Sequence, residues 1–220
     1  MMPAMSTTAI TLILLVIAYL LGSLSGSLLL GRLRGVDIRE SGSGNAGGTN
    51  ALRTQGWKFA LGVVIIDIAK GALAAWLALR FAPTGAALSV TGHGYAAAAL
   101  AVVGHVWPIW HGLRGGKGAA TAVGGLLVLW PWVVPALLLA WLLVLVSTGY
   151  VGLSTVLAAA LLPLLAWWWD AGPERLWFAI AMAAFIAFTH RSNLLRLWQG
   201  NEARFERARL LYRLHGRSRY

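Results

Sequence analysis

Apolar runs separated by short polar segments make up most of the chain. The first run, Ala9 to Leu30, is about 22 residues long, has no Lys or Arg ahead of it and is followed at once by Arg32 and Arg34. About 20 apolar residues cross the hydrocarbon core of a bilayer as a helix, so one span is predicted here. A cleavable signal peptide would be shorter and would carry its positive charge in front. The N-terminus is therefore read as outside and the Arg-rich side as cytoplasmic. Gly31 to Gly56, polar and rich in Gly, Ser and Asn, is read as a loop. Trp57 to Leu79 returns across, with Arg80, Phe81 and Pro83 at its outer end, and Gly94 to Trp110 comes back to a loop at His111 to Gly118.

Ala119 to Thr189 is mostly apolar, and the basic residues after His190 belong on the cytoplasmic side, so an even number of spans must lie between. Pro131, the polar patch Ser147 to Ser154 and Asp170 to Arg175 cut this run into four pieces. The prediction is an all-α polytopic membrane protein with seven helices, several of them short; five is the alternative. On this topology fifteen Lys and Arg lie inside and only Arg80 and Arg175 outside, a strong positive-inside asymmetry. Trp107, Trp110, Trp130, Trp132, Trp167, Trp168, Trp169 and Trp177 fall near the proposed interfaces, where amphipathic rings are favoured. The predicted organisation is one transmembrane domain over residues 1–203, with motif segments at 31–56, 111–118 and 190–202, and a basic cytoplasmic tail over 204–220.

Composition agrees. The chain is 59% hydrophobic and 11% charged with a net charge of +11, whereas soluble domains carry about a quarter charged residues. It has no Cys, which removes disulfides, thiolate metal sites and enzyme-held thioesters. Any chemistry must use oxygen and nitrogen groups.

The three cytoplasmic segments hold nearly all the unusual polar residues, and the topology places them on one membrane face. The first is Ser41-Gly-Ser-Gly-Asn-Ala-Gly-Gly-Thr-Asn50, followed by Arg53. Its glycines allow positive φ angles that turn consecutive amides toward one point, a nest for an anion, and Arg53 can clamp a phosphate. The competing reading is a flexible surface loop, which would need neither the Asn pair nor the Arg. Gly42-x-Gly44-x-x-Gly47 matches the dinucleotide fingerprint in spacing only, since a membrane helix and not a strand precedes it.

The second segment, Gly112-Leu-Arg-Gly-Gly-Lys-Gly118, leads straight into a predicted helix. Glycines and Lys117 at a helix N-terminus combine amide donors, the positive dipole end and a point charge. A tight positive-inside turn is the competing reading. It is not a Walker A loop, because His111 and Gly118 stand where Gly and Ser or Thr are required. In the third segment, His190-Arg-Ser-Asn193, positions i and i+3 share a helix face, although a lone His at a helix end is more often a cap. Glu202 is expected to pair with an Arg of the tail. Asp67 and Lys70, three apart and deep within the second span, are expected to form an internal ion pair, because charges at membrane depth usually face the bundle interior.

Taken in order, Gly22-x3-Gly26, the Ser-Gly-Ser-Gly-Asn loop with Arg53, Asp67-x2-Lys-Gly71, Gly104-His-x2-Pro108, Gly115-Gly-Lys-Gly118 and His190-Arg-x-Asn193 with Gly200 and Glu202 resemble the bacterial acyl-phosphate:glycerol-3-phosphate acyltransferase family. The resemblance covers Gly22 to Glu202. Ala46 and Gly48 differ at loop positions, and the tail is longer and more basic than the pattern.

The resemblance implies transfer of a fatty acyl group from acyl phosphate to the sn-1 hydroxyl of glycerol 3-phosphate, giving lysophosphatidic acid and inorganic phosphate, the first step of phospholipid synthesis, at the bacterial inner membrane. Ser43, Arg53, Lys117, His190 and Asn193 would be catalytic or substrate-polarising groups. Ser41, Gly44, Asn45, Thr49, Asn50, Gly115, Gly116 and Gly118 would bind the phosphates. Asp67, Lys70, His105 and Glu202 would support them. Acyl phosphate already carries a good leaving group, so no cofactor or metal is expected. Membrane lipid is the surrounding partner, no nucleic acid is expected, and the chain is read as a monomer.

Two other classes compete. Acyltransferases with a soluble catalytic head use a His followed five residues later by Asp, and none of His93, His105, His111, His190 or His215 has it. A transporter for a phosphorylated solute would place its polar residues at the bilayer midplane of an inverted repeat, and no repeat is visible. The tail, Arg204 to Arg219, carries six Arg with interspersed Phe, Leu and Tyr, a pattern suited to anionic lipid.

Overall fold

The computed structural model describes residues 5–206. Residues 207–220, most of the predicted basic tail, lie outside the described residues. The chain divides into two compact units, 1–131 and 132–220.

The first unit contains α1 (Thr7–Ser23), α2 (Gly26–Leu33), α3 (Gly48–Gln55), α4 (Trp57–Phe81), α5 (Val90–Val106) and α6 (Ala119–Leu129). Ser6 and Ser89 cap α1 and α5 by accepting from the amides of Ala9 (3.2 Å) and Gly92 (2.9 Å). Helix α4 is the hub, packed against α1, α5 and α6. These contacts are close because they are made by small residues, as in membrane helix packing generally. A Cβ on Gly22 of α1 would collide with the backbone of Ala101 on α5, and one on Gly124 of α6 with the Ile68 carbonyl of α4. Ala18, Ala74, Ala78, Ala97 and Ala101 form the core between them.

The second unit contains α7 (Val133–Thr148), α8 (Val151–Trp168), α9 (Pro173–Thr189) and α10 (Arg191–Trp198). Helix α8 packs on α7 and α9. Gly149 ends α7 in the left-handed conformation (φ 80°), which favours glycine, and Pro173 opens α9 at its first turn. The elements divide where the breaks at Pro131, Ser147–Ser154 and Asp170–Arg175 placed them.

Among the described residues α4 and α8 are long and apolar enough to cross a membrane, and α1 with α2 and α9 with α10 would raise this to four if each bent pair is one span. Helix α6 has 11 residues, about 16 Å of rise against a hydrocarbon core of about 30 Å.

Two expectations are corrected. The first apolar run is not a continuous helix: it breaks at Leu24 and Ser25 and bends by 48°. The break releases backbone groups that need partners away from water. Lys70 Nζ donates to the Leu24 carbonyl (2.9 Å), and the Gly26 amide donates to Asp67 Oδ1 (3.1 Å). The ion pair of α4 therefore closes the broken helix. The third run also ends earlier than Trp110: α5 stops at Val106 ahead of Pro108, which disfavours helix in the residue before it.

Candidate active site

The first glycine segment begins at Ile38, fully buried against Ala51, Phe59, Ala60 and Val63. From this anchor a turn at Ser41–Gly44 closes through the Gly44 amide and the Ser41 carbonyl (3.2 Å), with Gly42 and Gly44 at φ 63° and 69°, angles suited to glycine. Asn50, at the start of α3, knits the loop together. Its Nδ2 donates to the carbonyls of Ile38 (2.8 Å) and Ser41 (3.1 Å), and its Oδ1 accepts from the Ser43 amide (2.9 Å). The side chain is buried, so Asn50, expected at a phosphate, serves the loop itself. The amides of Ser43 and Gly44 are likewise taken up inside the loop, which narrows the nest expected there. Ser43 and Arg53 are exposed, Ser41 and Gly44 are exposed beside them, and Asn45 and Thr49 are half-buried.

The second glycine segment is laid back on the end of α5. The amides of Gly115 and Gly116 donate to the carbonyls of Val106 and His105, both at 3.1 Å. Gly118 is the N-cap of α6 at φ 87° and offers no side-chain cap, so the first amides of α6 present donors and the positive end of the helix dipole beside half-buried Lys117. Glycine at 116 is a packing requirement: a Cβ there would collide with Nε2 of His105 and crowd the Ala46 carbonyl oxygen.

Two groups bind these segments together. Arg39 grips Asp37 through Nε and Nη2, the closest contact being 2.6 Å, and donates from Nη1 to the carbonyls of His111 and Arg114, both at 3.0 Å. The Arg39 guanidinium holds the Asp37 carboxyl below the ordinary carboxylate range, and burial followed by the Arg39 charge depresses His111. Sequence reasoning passed over Arg39 because its long-range partners are main-chain carbonyls. Beneath, Asp67, Lys70 and His105 form a buried cluster, with Lys70 Nζ 3.0 Å from Asp67 Oδ1 and 2.7 Å from His105 Nδ1. The internal pair expected for α4 is thus formed, with His105 as a third member.

In the second unit His190 ends α9 and caps α10, buried, with Nδ1 2.8 Å from the Ile186 carbonyl. A carbonyl requires a hydrogen on Nδ1, so in the neutral ring Nε2 is the basic nitrogen. Asn193 follows one turn later on α10, and Gly152 of α8 allows it to pack closely, since a Cβ there would crowd the carboxamide. Glu202 accepts from Asn193 Nδ2 (2.5 Å) and from Arg196 Nε (2.8 Å). Among the described residues its ion partner is Arg196 of α10, the tail beyond 206 lying outside them, and its other oxygen fixes Asn193. Arg204 Nε donates to the Tyr150 hydroxyl (2.6 Å) and the Phe205 amide to the Gly149 carbonyl (2.8 Å), tying the chain after α10 to the turn between α7 and α8.

The first unit offers hydroxyl, guanidinium, ammonium and helix-amide groups suited to phosphorylated, oxygen-rich substrates, and the second unit by itself offers an imidazole and a carboxamide. Comparison with known proteins agrees. A family described as glycerol-3-phosphate acyltransferase matches residues 12–200. Among proteins named glycerol-3-phosphate acyltransferase, that of Pasteurella multocida (strain Pm70) is 40% identical over 86% of this chain and 90% of its own length. That of Shewanella sp. (strain W3-18-1) is 37% identical over 92% and 97%. The crystal structure of PlsY (YgiH), an integral membrane glycerol 3-phosphate acyltransferase, in its glycerol 3-phosphate form, is 34% identical and superposes with a TM-score of 0.81 over 89% of this chain and 95% of that one. Its lysophosphatidic acid form gives 0.80.

Proposed function

The chain belongs to the glycerol-3-phosphate acyltransferase family, and on that premise we propose that it takes the acyl group from acyl phosphate and delivers it to the sn-1 hydroxyl of glycerol 3-phosphate. Lysophosphatidic acid and inorganic phosphate are the products. The observation that carries this reading is the pair of glycine segments, each with its own cationic side chain, locked to each other by Arg39. Two phosphorylated substrates in one reaction need two anion sites held in fixed relation, and PlsY, a solved relative, has forms with glycerol 3-phosphate and with lysophosphatidic acid.

Arg53 and Ser43 bind the phosphate of glycerol 3-phosphate. Lys117 and the first amides of α6 bind the phosphate of the donor. Their role is alignment and charge neutralisation. The sn-1 oxygen attacks the acyl carbonyl carbon, the carbonyl carbon–phosphate oxygen bond breaks, and phosphate leaves with the bonding pair. The hydroxyl proton passes to Nε2 of His190 or to an oxygen of the acyl phosphate, and Asn193 orients the polar end of a substrate. Asp67, Lys70, His105 and Glu202 hold these groups in place. The mixed anhydride is reactive enough for a single step without a covalent enzyme intermediate, metal or cofactor. The acyl chain lies among the helices or in lipid.

For topology we propose seven membrane helices, several of them short, in the bacterial inner membrane, with the N-terminus outside and both glycine segments on the cytoplasmic face. The charge asymmetry supports this.

Purified protein in detergent tests the reaction. Phosphate release from acyl phosphate is expected only when glycerol 3-phosphate is added, with no comparable turnover from acyl-coenzyme A and no loss on chelation. Equal use of acyl-coenzyme A would remove the donor assignment. Absence of any transfer, with uptake of a phosphorylated solute into vesicles, would favour a transporter.

A further inference from the structure

Three buried groups beneath the glycine segments fix a protonation pattern. Lys70 Nζ has three acceptors around it: the Leu24 carbonyl at 2.9 Å, Asp67 Oδ1 at 3.0 Å and His105 Nδ1 at 2.7 Å. An ammonium group has three hydrogens and no lone pair, so these contacts use all of it. His105 Nδ1 must then accept, and the neutral ring carries its hydrogen on Nε2. Nε2 faces the small space that glycine leaves at position 116, which the Ala46 carbonyl oxygen of the first glycine segment also borders. The imidazole therefore stands at the seam where the two segments meet.

We propose that Lys70 sets the tautomer of His105, and that the resulting Nε2–H makes His105 a positioning residue that holds the two substrate loops in register. The opposite tautomer is available, because Asp67 Oδ1 lies 3.4 Å from the same Nδ1 and would take its hydrogen if Lys70 were absent. The space at Gly116 that Nε2 and the Ala46 oxygen both border would then hold two acceptors and no donor, and the seam would lose its polar match. Each loop would keep its own phosphate donors, so each substrate would still bind. What would be lost is the alignment of hydroxyl and carbonyl, where a displacement of about 1 Å can cost about 100-fold in rate. The proposal rests on the two-phosphate reading above.

Nitrogen NMR on 15N-histidine-labelled full-length protein in detergent tests the first half directly. The His105 signal is assigned by its disappearance in His105→Gln, and wild type is expected to show an unprotonated Nδ1 and a protonated Nε2. The opposite tautomer, or two protonated nitrogens, overturns the proposal. Kinetics test the second half. Lys70→Met is expected to move the hydrogen to Nδ1 and to lower kcat at least 10-fold, with each KM changed less than 3-fold. His105→Gln carries an amide donor that does not tautomerise, so it is expected to keep more turnover than His105→Leu and to make turnover insensitive to Lys70→Met. Wild-type kcat in a folded Lys70→Met protein, or an equal loss when Lys70→Met is added to His105→Gln, overturns the register role. If Lys70→Met does not fold, the comparison of His105→Gln with His105→Leu decides: equal kcat in the two overturns the proposal. Should acyl phosphate prove not to be the donor, the NMR result still reports the tautomer, so the two failures are distinguishable.

Discussion

Arg39 donates from Nη1 to the carbonyl oxygen of His111 at 3.0 Å, across 72 residues of chain, and so joins the first glycine segment to the second. The same nitrogen reaches the Arg114 carbonyl, while Nε and Nη2 hold Asp37. A planar fork is needed to serve an acid on one edge and two carbonyls on the other, which a lysine cannot do. Arg39→Lys is expected to lower turnover about 10-fold to 100-fold, the range for losing a charge-assisted hydrogen bond of about 1.5–3 kcal/mol. Initial rates at saturating substrates check this, and wild-type turnover would return Arg39 to a surface role.

The acid side of the same clamp has a defined pH dependence. Arg39 depresses the Asp37 carboxyl, so the clamp is fully present above the ordinary carboxylate pKa of about 3.9 and is lost only as pH falls through the lowered value. The contrast in rate between wild type and Asp37→Asn should therefore be constant from neutral pH down to about pH 4. A contrast that fades between pH 7 and pH 5 would show that another group governs it.

Arg53 and Lys117 are cations of different kinds. Arg53 is exposed on α3 and is assigned two oxygens of glycerol 3-phosphate, so Arg53→Lys keeps the charge but loses the fork. Its KM for glycerol 3-phosphate should rise about 10-fold or more, with the donor KM unchanged. Lys117 shares its task with the amides of α6, which partly substitute for it. Lys117→Arg should retain some turnover and Lys117→Ala should lose most. Unchanged kinetics in Arg53→Lys, in folded and inserted protein, would mark the first segment as a linker.

The segmentation of the chain was legible because its breaks are a helix-breaking proline, Pro131, and the polar residues of Ser147 to Ser154 and Asp170, which interrupt the apolar runs. The break at Leu24 was not, because its cost is met by Asp67 and Lys70, some 40 residues downstream. Local pattern carries no trace of such a partner, although the Ser-Leu-Ser-Gly-Ser run at 23–27 hints at a helix with competing hydroxyls. Loop residues were legible as a set and less so by task. Asn50 has the chemistry of a phosphate ligand, and only its burial against Ile38 and Ser41 shows that the loop takes up its carboxamide.

The basic tail was read as beginning at Arg204, and its first two residues, Arg204 and Phe205, are bonded to Tyr150 and Gly149. Truncation after Glu206 should leave detergent-phase turnover intact. Truncation after Ala203 should lower the thermal midpoint, since it removes a charge-assisted bond and a main-chain bond. Equal midpoints in the two truncated proteins would mean that the docking carries no stability.

Asn193 and Glu202 should behave as one unit. The carboxylate binds Asn193 Nδ2 and Arg196 Nε with different oxygens, which fixes both the rotamer of the carboxamide and which of its atoms points away. Glu202→Ala leaves Asn193 chemically intact but unheld, so it should resemble Asn193→Ala in turnover. The double variant should then lose little beyond either single one. Groups acting through each other are non-additive, whereas independent losses multiply. Glu202→Gln keeps an acceptor oxygen for the carboxamide but gives up the charge facing Arg196, and should fall between wild type and Glu202→Ala. If the two single losses multiply in the double variant, Glu202 supports α10 through Arg196 alone, and the orientation of Asn193 must come from elsewhere.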